Sequence, residues 1–548
     1  MRSPSFCGFV VLLAGAAAAQ TTMYTSANRP YQSTVWLQSM VRSRAGHLFV
    51  VYTDPFRPPQ NDIAVGRSTD GGRTWNMQWQ TGFAALAATD LGNNSPAVAI
   101  DDQDNLHLVW CHVGVDDNSW SNHYLRWDAS RQAWGPEVAL NSPARRQRYN
   151  GIAVDSRNQV WILTNTGFWL GFLQRSNVPY AADHVFNNFS PPLATSLNFE
   201  HMHMIVDALD RLHIGFYNFG ASWSNYHLWI DPGASSPAWS AMATFGTPNS
   251  GADFYTALAA DLAGNVYCVY GVETPGVSSG PDPYWELRKW DGITTAWSSP
   301  IAVGKTTRTN LSQGGKDNDC AFLAAACDET TGELYFTYRD LDTGTFRLLR
   351  WRDGNPAPTP YATLMTTGSK PANTLNYFMH PQIRGTLFPY FNRASVELHI
   401  SYEVGDETAS TPNYTLFLDR FPVGSLKSLA APRLGTAFPL DISALADAGK
   451  SYVLGLSMTG IQPGIALQNR FLPLVPDSLF FVTVQNLVPS LFRGFQGVLD
   501  GSGMARASLV IPNAPALVNL ALHAAFVTWT GTAGLSTISN PLTFTIAP

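Results

Sequence analysis

Residues 46–75 read GHLFVVYTDPFRPPQNDIAVGRSTDGGRTW, and the pattern of this stretch recurs along the chain. It opens with an apolar, β-forming run at 48–52, crosses a polar loop, and continues with a second run at 63–67. Two such runs joined by a loop predict an antiparallel hairpin. The last eight residues predict a tight turn, in which glycines permit positive φ, the Asp70 carboxylate accepts hydrogen bonds from turn amides, and Trp75 packs beneath.

The leading strand of this hairpin recurs along the chain. In one register, the seven copies start at Gly46, Asp104, Asn158, Asp210, Gly264, Gly332 and Val396. A repeat of roughly 50–65 residues that holds four short strands is typical of a β-propeller blade. We therefore expect an all-β fold built on a propeller of six or seven blades, with seven favoured. Residues 22–38 are expected to complete the last blade and so close the ring.

The chain is long enough for more than one domain, because 548 residues exceed one ordinary core. The repeat occupies residues 20–424, and Pro422–Ser425 together with Ala431 and Pro432 predicts a linker at residues 425–433. Residues 434–548 lack the repeat and alternate short apolar runs with turns, which predicts a small C-terminal β-sandwich. Its predicted strands include residues 452–456, 479–484, 524–528 and 542–546.

The N-terminus has the pattern of a secretory signal. Arg2 precedes an apolar stretch, and Ala17–Ala19 offers a small-residue cleavage site. The apolar run is shorter than the ~20 residues of a membrane span, and no later segment is long and apolar enough to span. Residues 1–19 are therefore predicted to be a signal peptide, cleaved near Ala19, and the mature protein to be secreted or extracytoplasmic.

Composition narrows the partners. Only 14% of the residues are charged while 12% are aromatic, which is typical of a folded β-rich protein. The net charge is −6 and no Lys/Arg run is present, so nucleic acid is not expected as a partner. Four cysteines follow the leader (Cys111, Cys268, Cys320 and Cys327), and without metal-site spacing they are interpreted as free structural cysteines. We expect a monomer without a cofactor.

The first repeat resembles the sialidase superfamily, also called the BNR or Asp-box repeat family. That family shows Arg-Ile-Pro, a Gly-led strand, a loop with an acidic residue, and a box of the form Arg-Ser-x-Asp-x-Gly-x-Thr-Trp. Here Gly46–Tyr52, Asp62 and Arg67–Trp75 match the later parts, while Leu37–Ser39 occupies the position of Arg-Ile-Pro. The resemblance implies a propeller, and it implies that Asp62, or less well Asp54, is an acid/base residue.

Propeller sites gather at one end of the channel, on loops that lead into the innermost strands and out of the second strands. The first set of loops supplies these candidates: Asn94, Arg148, Tyr149, Asn150, Glu200, His201, His203, Asp253, Tyr255, Asp319, Tyr377 and His380. The second set supplies Asp54, His112 and Arg339. These polar and aromatic groups predict a carbohydrate-binding site at the channel mouth.

Three functions follow from these candidates. In a sialidase-type exo-glycosidase, as the resemblance implies, Tyr255 or Tyr377 would be the nucleophile with Glu200, and Asp62 would be the acid/base. A polysaccharide lyase needs a His or Tyr base and a cation beside the substrate carboxylate, which His201, His203, Tyr149, Tyr255 and Arg148 could supply. The third function is a non-catalytic propeller that binds glycan or protein.

Two motifs have simpler interpretations. His201 and His203 have zinc-like spacing but no third ligand in view, so hydrogen-bonded histidines are favoured and no metal is expected. Asp101 begins a calcium-like run but matches a turn aspartate of other repeats, which favours a structural turn. His107, His213 and His399 alternate within strands and are interpreted as packing residues.

Overall fold

The structure is a computed structural model of the chain. It describes residues 21–26, 39–57, 60–81, 92–113, 120–140, 150–165, 171–176, 186–189, 199–218, 223–249, 256–272, 284–305, 324–328, 332–340, 345–366, 384–392, 397–406, 413–428, 430–467, 470–530 and 534–548. The signal peptide predicted at residues 1–19 and Cys320 lie outside these residues.

The first part of the chain forms antiparallel units of four or five strands. The strands of the first half are β1 (Thr21–Ser26), β2 (Met40–Arg42), β3 (Leu48–Arg57), β4 (Gln60–Ser68), β5 (Asn76–Thr81), β6 (Gly92–Ile100), β7 (Leu106–Val113), β8 (Trp120–Asp128), β9 (Ala133–Trp134), β10 (Val138–Ala139), β11 (Asn150–Val154), β12 (Val160–Asn165), β13 (Gly171–Ser176), β14 (Phe186–Asn188), β15 (Phe199–Val206), β16 (Leu212–Asn218), β17 (Trp223–Ile230) and β18 (Ala243–Asn249). Blade I consists of β2–β5, blade II of β6–β10, blade III of β11–β14 and blade IV of β15–β18.

Three more blades follow. Their strands are β19 (Thr256–Ala260), β20 (Val266–Val272), β21 (Tyr284–Asp291), β22 (Ala296–Trp297), β23 (Ile301–Lys305), β24 (Ala324–Asp328), β25 (Glu333–Asp340), β26 (Thr345–Trp351), β27 (Thr359–Thr366), β28 (Arg384–Asn392), β29 (Glu397–Asp406) and β30 (Asn413–Lys427). Blade V consists of β19–β23, blade VI of β24–β27, and blade VII of β28–β30 together with β1.

The seven blades close into a ring. The innermost strands β2, β6, β11, β15, β19, β24 and β28 each contact the next, and β28 contacts β2. β1 pairs antiparallel with β30, from Thr21 opposite Leu418 to Ser26 opposite Tyr414. The N-terminal strand is therefore the outer strand of the last blade, which leaves no free edge at the closure. The predicted seven-bladed propeller is confirmed.

Each second strand is buried because neighbouring blades cover both of its faces. In β3, Leu48, Val50, Val51 and Tyr52 are fully buried. Phe49 and Val51 pack against blade II, while Val50 and Tyr52 pack against the last blade. This two-sided burial explains why the repeat reads as a continuous apolar run rather than as an alternating pattern.

A buried aspartate organises the turn between the first and second strands in blades II to V. These four turn carboxylates are Asp101, Asp155, Asp207 and Asp261, and each accepts the backbone N–H groups two and four residues later. Each also contacts the side chain six residues later on the second strand, which is His107, Trp161, His213 or Tyr267. The structural turn predicted at Asp101 is thus confirmed.

The same turns join neighbouring blades. The residue at the fourth turn position has positive φ and accepts a backbone N–H from the turn of the preceding blade. The three links are Arg44 N to Asp104 Oδ1 (2.6 Å), Asp102 N to Asn158 Oδ1 (3.0 Å) and Ser156 N to Asp210 Oδ1 (2.8 Å). A string of hydrogen bonds therefore runs across blades I to IV on the face that carries these turns, which we call the turn face.

The turn at the end of the first hairpin closes as the sequence predicts. Asp70 accepts hydrogen bonds from the backbone of Arg73 and Thr74 (both 2.9 Å), and Trp75 Nε1 donates to the Gly72 carbonyl (3.2 Å). Partial burial alone would raise the pKa of Asp70. The hydrogen bonds from Thr74, Ser68 and Arg73 outweigh that effect and lower its pKa to about 2.

The C-terminal part is a β-sandwich. Its elements are β31 (Ala437–Ser443), β32 (Ser451–Ser457), β33 (Ile465–Leu467), β34 (Arg470–Leu472), α1 (Ser478–Val484), β35 (Phe492–Arg493), β36 (Gln496–Val498), β37 (Met504–Val510), β38 (Ala521–Thr530), β39 (Gly534–Ser539) and β40 (Leu542–Thr545). β31 and β37 pack against β32, β38 and β40 over one apolar core that includes Leu440, Leu454 and Phe526. The predicted sandwich is confirmed.

β30 joins the propeller to the sandwich. It pairs with β29 along the propeller and then, at residues 425–427, with β31 of the sandwich. It thus runs through the predicted boundary at residue 424 and into the predicted linker 425–433. Arg470 adds a second connection, because its Nη2 donates to Tyr361 Oη of blade VI (2.6 Å). The division into domains stays a prediction.

One predicted strand is wrong. Residues 479–484 lie in α1, because Asp477 caps the helix by accepting the N–H of Phe480 (2.9 Å). The same carboxylate accepts from Met458 and Thr459, which fixes the cap against the preceding loop. A short apolar run fits a strand or a helix equally well, and here the cap decides.

The described residues also bear on the predicted cysteines and on membrane-spanning segments. Cys111, Cys268 and Cys327 are buried and form no disulfide within the described part of the chain. No helix in the described ranges is long and apolar enough to cross a membrane.

Candidate functional site

The starts of the innermost strands and the ends of the second strands lie on one face, opposite the turn face; we call it the mouth face. Antiparallel pairing sets this arrangement, since Asn94 lies opposite Cys111 and Glu200 opposite Tyr217. The strands carry these candidates at their mouth ends: Asp54, Asn94, His112, Asn150, Glu200, His201 and Arg339. The backbone therefore brings them to one face, and their roles stay predictions.

The remaining candidates are divided between described and undescribed residues. Arg148, Tyr149, Asp253, Tyr255, Asp319, Tyr377 and His380 lie outside the described residues. Of those on the strands, side chains are described for Asp62, His112 and His203. These three define what the structure shows of the predicted site.

Asp62 lies at the mouth end of blade I. Its backbone pairs with that of Asp54 across β3 and β4. Its side chain is 6% exposed, and Oδ1 accepts the N–H of Ile63 at 2.8 Å. Asp62 is therefore a mostly buried carboxylate at the predicted position, and its acid/base role stays a prediction.

His112 belongs to an imidazole pair in blade II. Its ring meets the ring of His123 edge-on, with 5.5 Å between the centroids and 73° between the planes. His123 in turn stacks on Trp110 at 5.7 Å. Trp110 and His112 project from the same side of β7, because they are two residues apart, and Ser121 and His123 face them across β8.

His123 is the centre of a hydrogen-bonded chain. Its Nδ1 lies 2.5 Å from Glu137 Oε1, and its Nε2 lies 2.6 Å from Ser121 Oγ. A carboxylate can only accept, so Nδ1 carries a proton; in the neutral ring Nε2 is then the acceptor, and the Ser121 hydroxyl donates to it. The side chain of His123 is 17% exposed and that of Glu137 is 36% exposed, so solvent reaches the chain. A hydroxyl, a base and an orienting carboxylate are thus aligned.

Ser121, His123 and Glu137 were absent from the sequence-based candidates. The candidates came from loops beside the first and second strands, whereas Ser121 and His123 lie on the third strand. The alternation Ser121-x-His123, opposite Trp110 and His112, is the signal that identifies them.

His203 joins two blades. It is buried, and its Nδ1 accepts the N–H of Leu258 in blade V at 2.9 Å. Burial lowers the pKa of His203 to about 3, so the ring is neutral at physiological pH. Its occupied Nδ1 cannot take a proton from a substrate, and its catalytic role stays a prediction.

A tyrosine–glutamate pair that the sequence did not predict lies in blade V, on β20 and β21. Tyr270 donates its hydroxyl to Glu286 and accepts from Arg288 Nε (2.8 Å). Tyr270 is fully buried, and burial raises the pKa of its phenol. The phenol is therefore protonated and enclosed, which gives this pair a structural role.

Metal ligation has no support among the described residues. They contain no group of three or more His, Cys, Asp or Glu side chains that could hold an ion. His107 and His213 are buried and hydrogen-bonded to Asp101 and Asp207, as expected of packing residues.

The fold and its mouth thus define a seven-bladed β-propeller with polar groups at one end of the channel. No family model matches the chain, and no curated protein matches it. Among solved structures, an ulvan lyase of a new polysaccharide lyase family is similar at 11% identity and a TM-score of 0.45, over 73% of this chain and 94% of that chain. An α-L-arabinanase from Penicillium chrysogenum, complexed with arabinobiose, is similar at 10% identity and 0.42, over 73% and 97%. A Hadza microbial sialidase is similar at 10% identity and 0.35, over 55% and 63%.

Proposed function

We propose that this protein is a secreted, monomeric, sialidase-like propeller that binds and acts on carbohydrate at the mouth face. The observation that carries the proposal is the cluster of His112, His123, Ser121 and Glu137, which gathers donors, acceptors and imidazole rings at the mouth end of blade II. Sugars present hydroxyl groups that pair with such side chains, and their C–H faces lie against rings. The leader predicted at residues 1–19 and the absence of a basic run accord with an extracytoplasmic glycan as the partner.

The chemistry at this mouth is proposed to be exo-glycosidic, with Asp62 as the acid/base. Asp62 supports this proposal by its place, because it is a mostly buried carboxylate at the mouth end of blade I. A lyase that uses a His/Tyr/Arg cluster is the alternative, as is binding without turnover.

The test is a panel of sialosides, uronate-containing polysaccharides and arabinans, assayed for binding, for released sugar and for unsaturated product. We expect at least one glycan to bind the full-length protein, and His112→Ala to weaken that binding about tenfold, as the loss of one good hydrogen bond and a ring contact does. His523→Ala on the sandwich is the matched control and should leave binding unchanged. A protein that binds none of the panel would contradict the proposal.

A second candidate function, the hydrolysis of acyl esters on glycans, is favoured by one specific observation. The hydroxyl of Ser121 points at the free lone pair of His123, and Glu137 holds the other ring nitrogen. In this reaction Ser121 Oγ attacks the acyl carbon, His123 takes the proton and returns it to the leaving alcohol, and water then releases the acid.

A serine-directed fluorophosphonate tests this second candidate. We expect one equivalent of label on Ser121, located by peptide mass spectrometry, and hydrolysis of a simple acetate ester that Ser121→Ala and Glu137→Gln both reduce at least about a hundredfold. Ser130→Ala, an exposed serine on the turn face, is the control. Labelling elsewhere, or none, would exclude Ser121 as a nucleophile.

A further inference from the structure

A cavity of about 310 Å³ opens on the turn face, between blades I and II. Its walls include His47, Phe49, Arg67, Trp79, Trp127 and one carboxylate, that of Asp104. Because the turn face is opposite the mouth face, this cavity is separate from the glycan site proposed above.

Arg67 supplies the cavity with a guanidinium that has unused donors. Its Nη2 donates to His47 Nδ1 at 2.8 Å, and its guanidinium carbon lies 5.3 Å from the ring centroid of Trp79 and 5.8 Å from that of Phe49. Its Nε is buried and has no hydrogen-bond partner. A guanidinium offers five N–H groups, and leaving them unpaired in a partly enclosed site is costly.

The neutral ring of His47 adds a second donor. Arg67 can only donate, so Nδ1 of His47 is the acceptor and the proton is on Nε2. Burial and the charge of Arg67 lower the pKa of His47, against an opposing effect of Asp104. The Asp104 carboxylate already accepts the N–H of Arg44 at 2.6 Å.

Blade I lacks the carboxylate that other blades place here. Ser43 occupies the turn position of Asp101, Asp155, Asp207 and Asp261, since its backbone bonds to His47 and Gly46 match theirs and its Oγ accepts the N–H of His47 (3.1 Å). Six residues on, the polar ring of those blades is replaced by Phe49. The basic residue of the third strand is retained, because Arg67 pairs with Phe49 just as Arg126 pairs with His107 and Arg175 with Trp161.

The cavity therefore has a guanidinium on one wall and a serine, rather than the aspartate of blades II to V, at the turn position. Its other wall is aromatic, with Trp79 and Trp127 in edge contact at 4.9 Å. The volume is larger than a simple anion requires and has room for one sugar ring. Arginine binds carboxylates with two parallel hydrogen bonds, and tryptophan packs against the C–H face of a pyranose.

We propose that this cavity binds a carboxylate-bearing monosaccharide, a sugar acid, whose carboxylate pairs with the guanidinium of Arg67. The ring of the sugar lies against Trp79. The site gives the protein a second, non-catalytic contact with acidic glycans, and it does not depend on the function proposed for the mouth.

Galacturonate is the probe, titrated into the full-length protein and followed by tryptophan fluorescence and calorimetry, with galactose and acetate beside it. We expect saturable binding of galacturonate. Galactose lacks the carboxylate and acetate lacks the sugar ring, so each should bind about tenfold or more weakly. No saturable binding of galacturonate would overturn the proposal. Equal binding of acetate would overturn the sugar part of it.

Two variants and two controls locate the site. Arg67→Gln should weaken galacturonate binding at least about tenfold. Ser43→Asp keeps Arg67 and installs the carboxylate of the other blades, so it should abolish binding while raising the urea midpoint. Arg175→Gln, which removes the equivalent arginine stacked on Trp161 at 5.5 Å, should bind as wild type does, and so should His523→Ala on the sandwich. Retained affinity in Ser43→Asp would overturn the assignment to this cavity.

Discussion

Replacing Asp207 with alanine is expected to lower the free energy of unfolding of the propeller by about 3–5 kcal/mol. Asp207 accepts the N–H groups of Leu209 and Arg211 (both 2.9 Å), Arg211 Nε (2.6 Å) and His213 Nε2 (3.2 Å). The side chains of Asp207 and His213 are fully buried, and that of Arg211 is 8% exposed. Alanine would leave a buried guanidinium without its counterion, and water cannot easily replace it.

The loss extends beyond one turn. Arg211 also donates to the carbonyls of Gly264 and Gly292 in blade V, and it stacks on Trp290 with 4.5 Å to the ring centroid. Asp207 therefore orients an arginine that holds blades IV and V together. Asp207→Asn keeps an acceptor for the turn amides but loses the charge. It should therefore lower the free energy of unfolding, but by less than Asp207→Ala does.

Asp70→Ala is the matched control for this prediction. Asp70 accepts as many hydrogen bonds, from Ser68, Arg73 and Thr74, but it lies in an exposed turn. Water replaces the lost acceptor there, so the expected cost is about 1 kcal/mol. Urea titrations followed by tryptophan fluorescence measure both. Equal losses of unfolding free energy in Asp70→Ala and Asp207→Ala would contradict the prediction that the buried carboxylate contributes more.

The two kinds of aspartate turn differ in how easily they are recognised in the sequence. The Ser68–Trp75 turn is the more conspicuous motif, because glycines and a tryptophan mark it locally. The turn carboxylates are less conspicuous, yet the spacing of six residues between Asp101 and His107 recurs at Asp155–Trp161, Asp207–His213 and Asp261–Tyr267. The sequence predicted a turn at Asp101 and a packing role for His107. The hydrogen bond between them becomes predictable only when the four repeats are aligned and the shared spacing of six residues is noticed.

The propeller was predictable because its signal is periodic, whereas α1 was not. Seven copies of one buried strand leave few alternatives, and the extra N-terminal strand follows from the need to cover an edge. Residues 479–484 form a single apolar run, and their helical state depends on Asp477, which is fixed by a loop about 20 residues earlier in the chain.

The mouth was predictable in position but not in detail. Strand order alone places Asn94, His112 and Glu200 at one face, and the structure agrees. The partners of each side chain depend on contacts between blades, such as the bond from Leu258 to His203 over 55 residues. No local sequence pattern indicates a contact between residues so far apart in the chain. The position of a site residue can therefore be predicted from the sequence more securely than its role.

Acidification is expected to destabilise the propeller well above the pH at which its carboxylates protonate, and His203→Asn should reduce that effect. Burial lowers the pKa of His203 to about 3 from its ordinary value of 6.5, and burial likewise lowers that of His227 well below 6.5. At a pH between the folded-state pKa of each histidine and 6.5, the histidine is protonated in the unfolded chain and neutral in the folded protein. Stability is therefore full above about pH 6.5 and falls with decreasing pH, by up to about 1.4 kcal/mol per pH unit for each such histidine.

Asparagine at position 203 isolates one of these groups. Its side-chain oxygen lies where Nδ1 of histidine lies, so it can still accept the N–H of Leu258, but it does not titrate. We expect nearly wild-type stability at pH 7.5 and a slope of stability against pH that is shallower by about 1.4 kcal/mol per unit between about pH 6 and 4.5.

Urea midpoints of the variant and the wild type measured across that window provide the test, because the two proteins share their carboxylates, whose contributions cancel in the difference between the slopes. The same substitution at His523, which is partly exposed on the sandwich, should leave the slope of the propeller transition unchanged. An unchanged slope in His203→Asn would mean that His203 is protonated in the folded protein. In that case Nδ1 could not accept from Leu258, the two blades would be held otherwise, and His203 would again be available to the chemistry of the mouth.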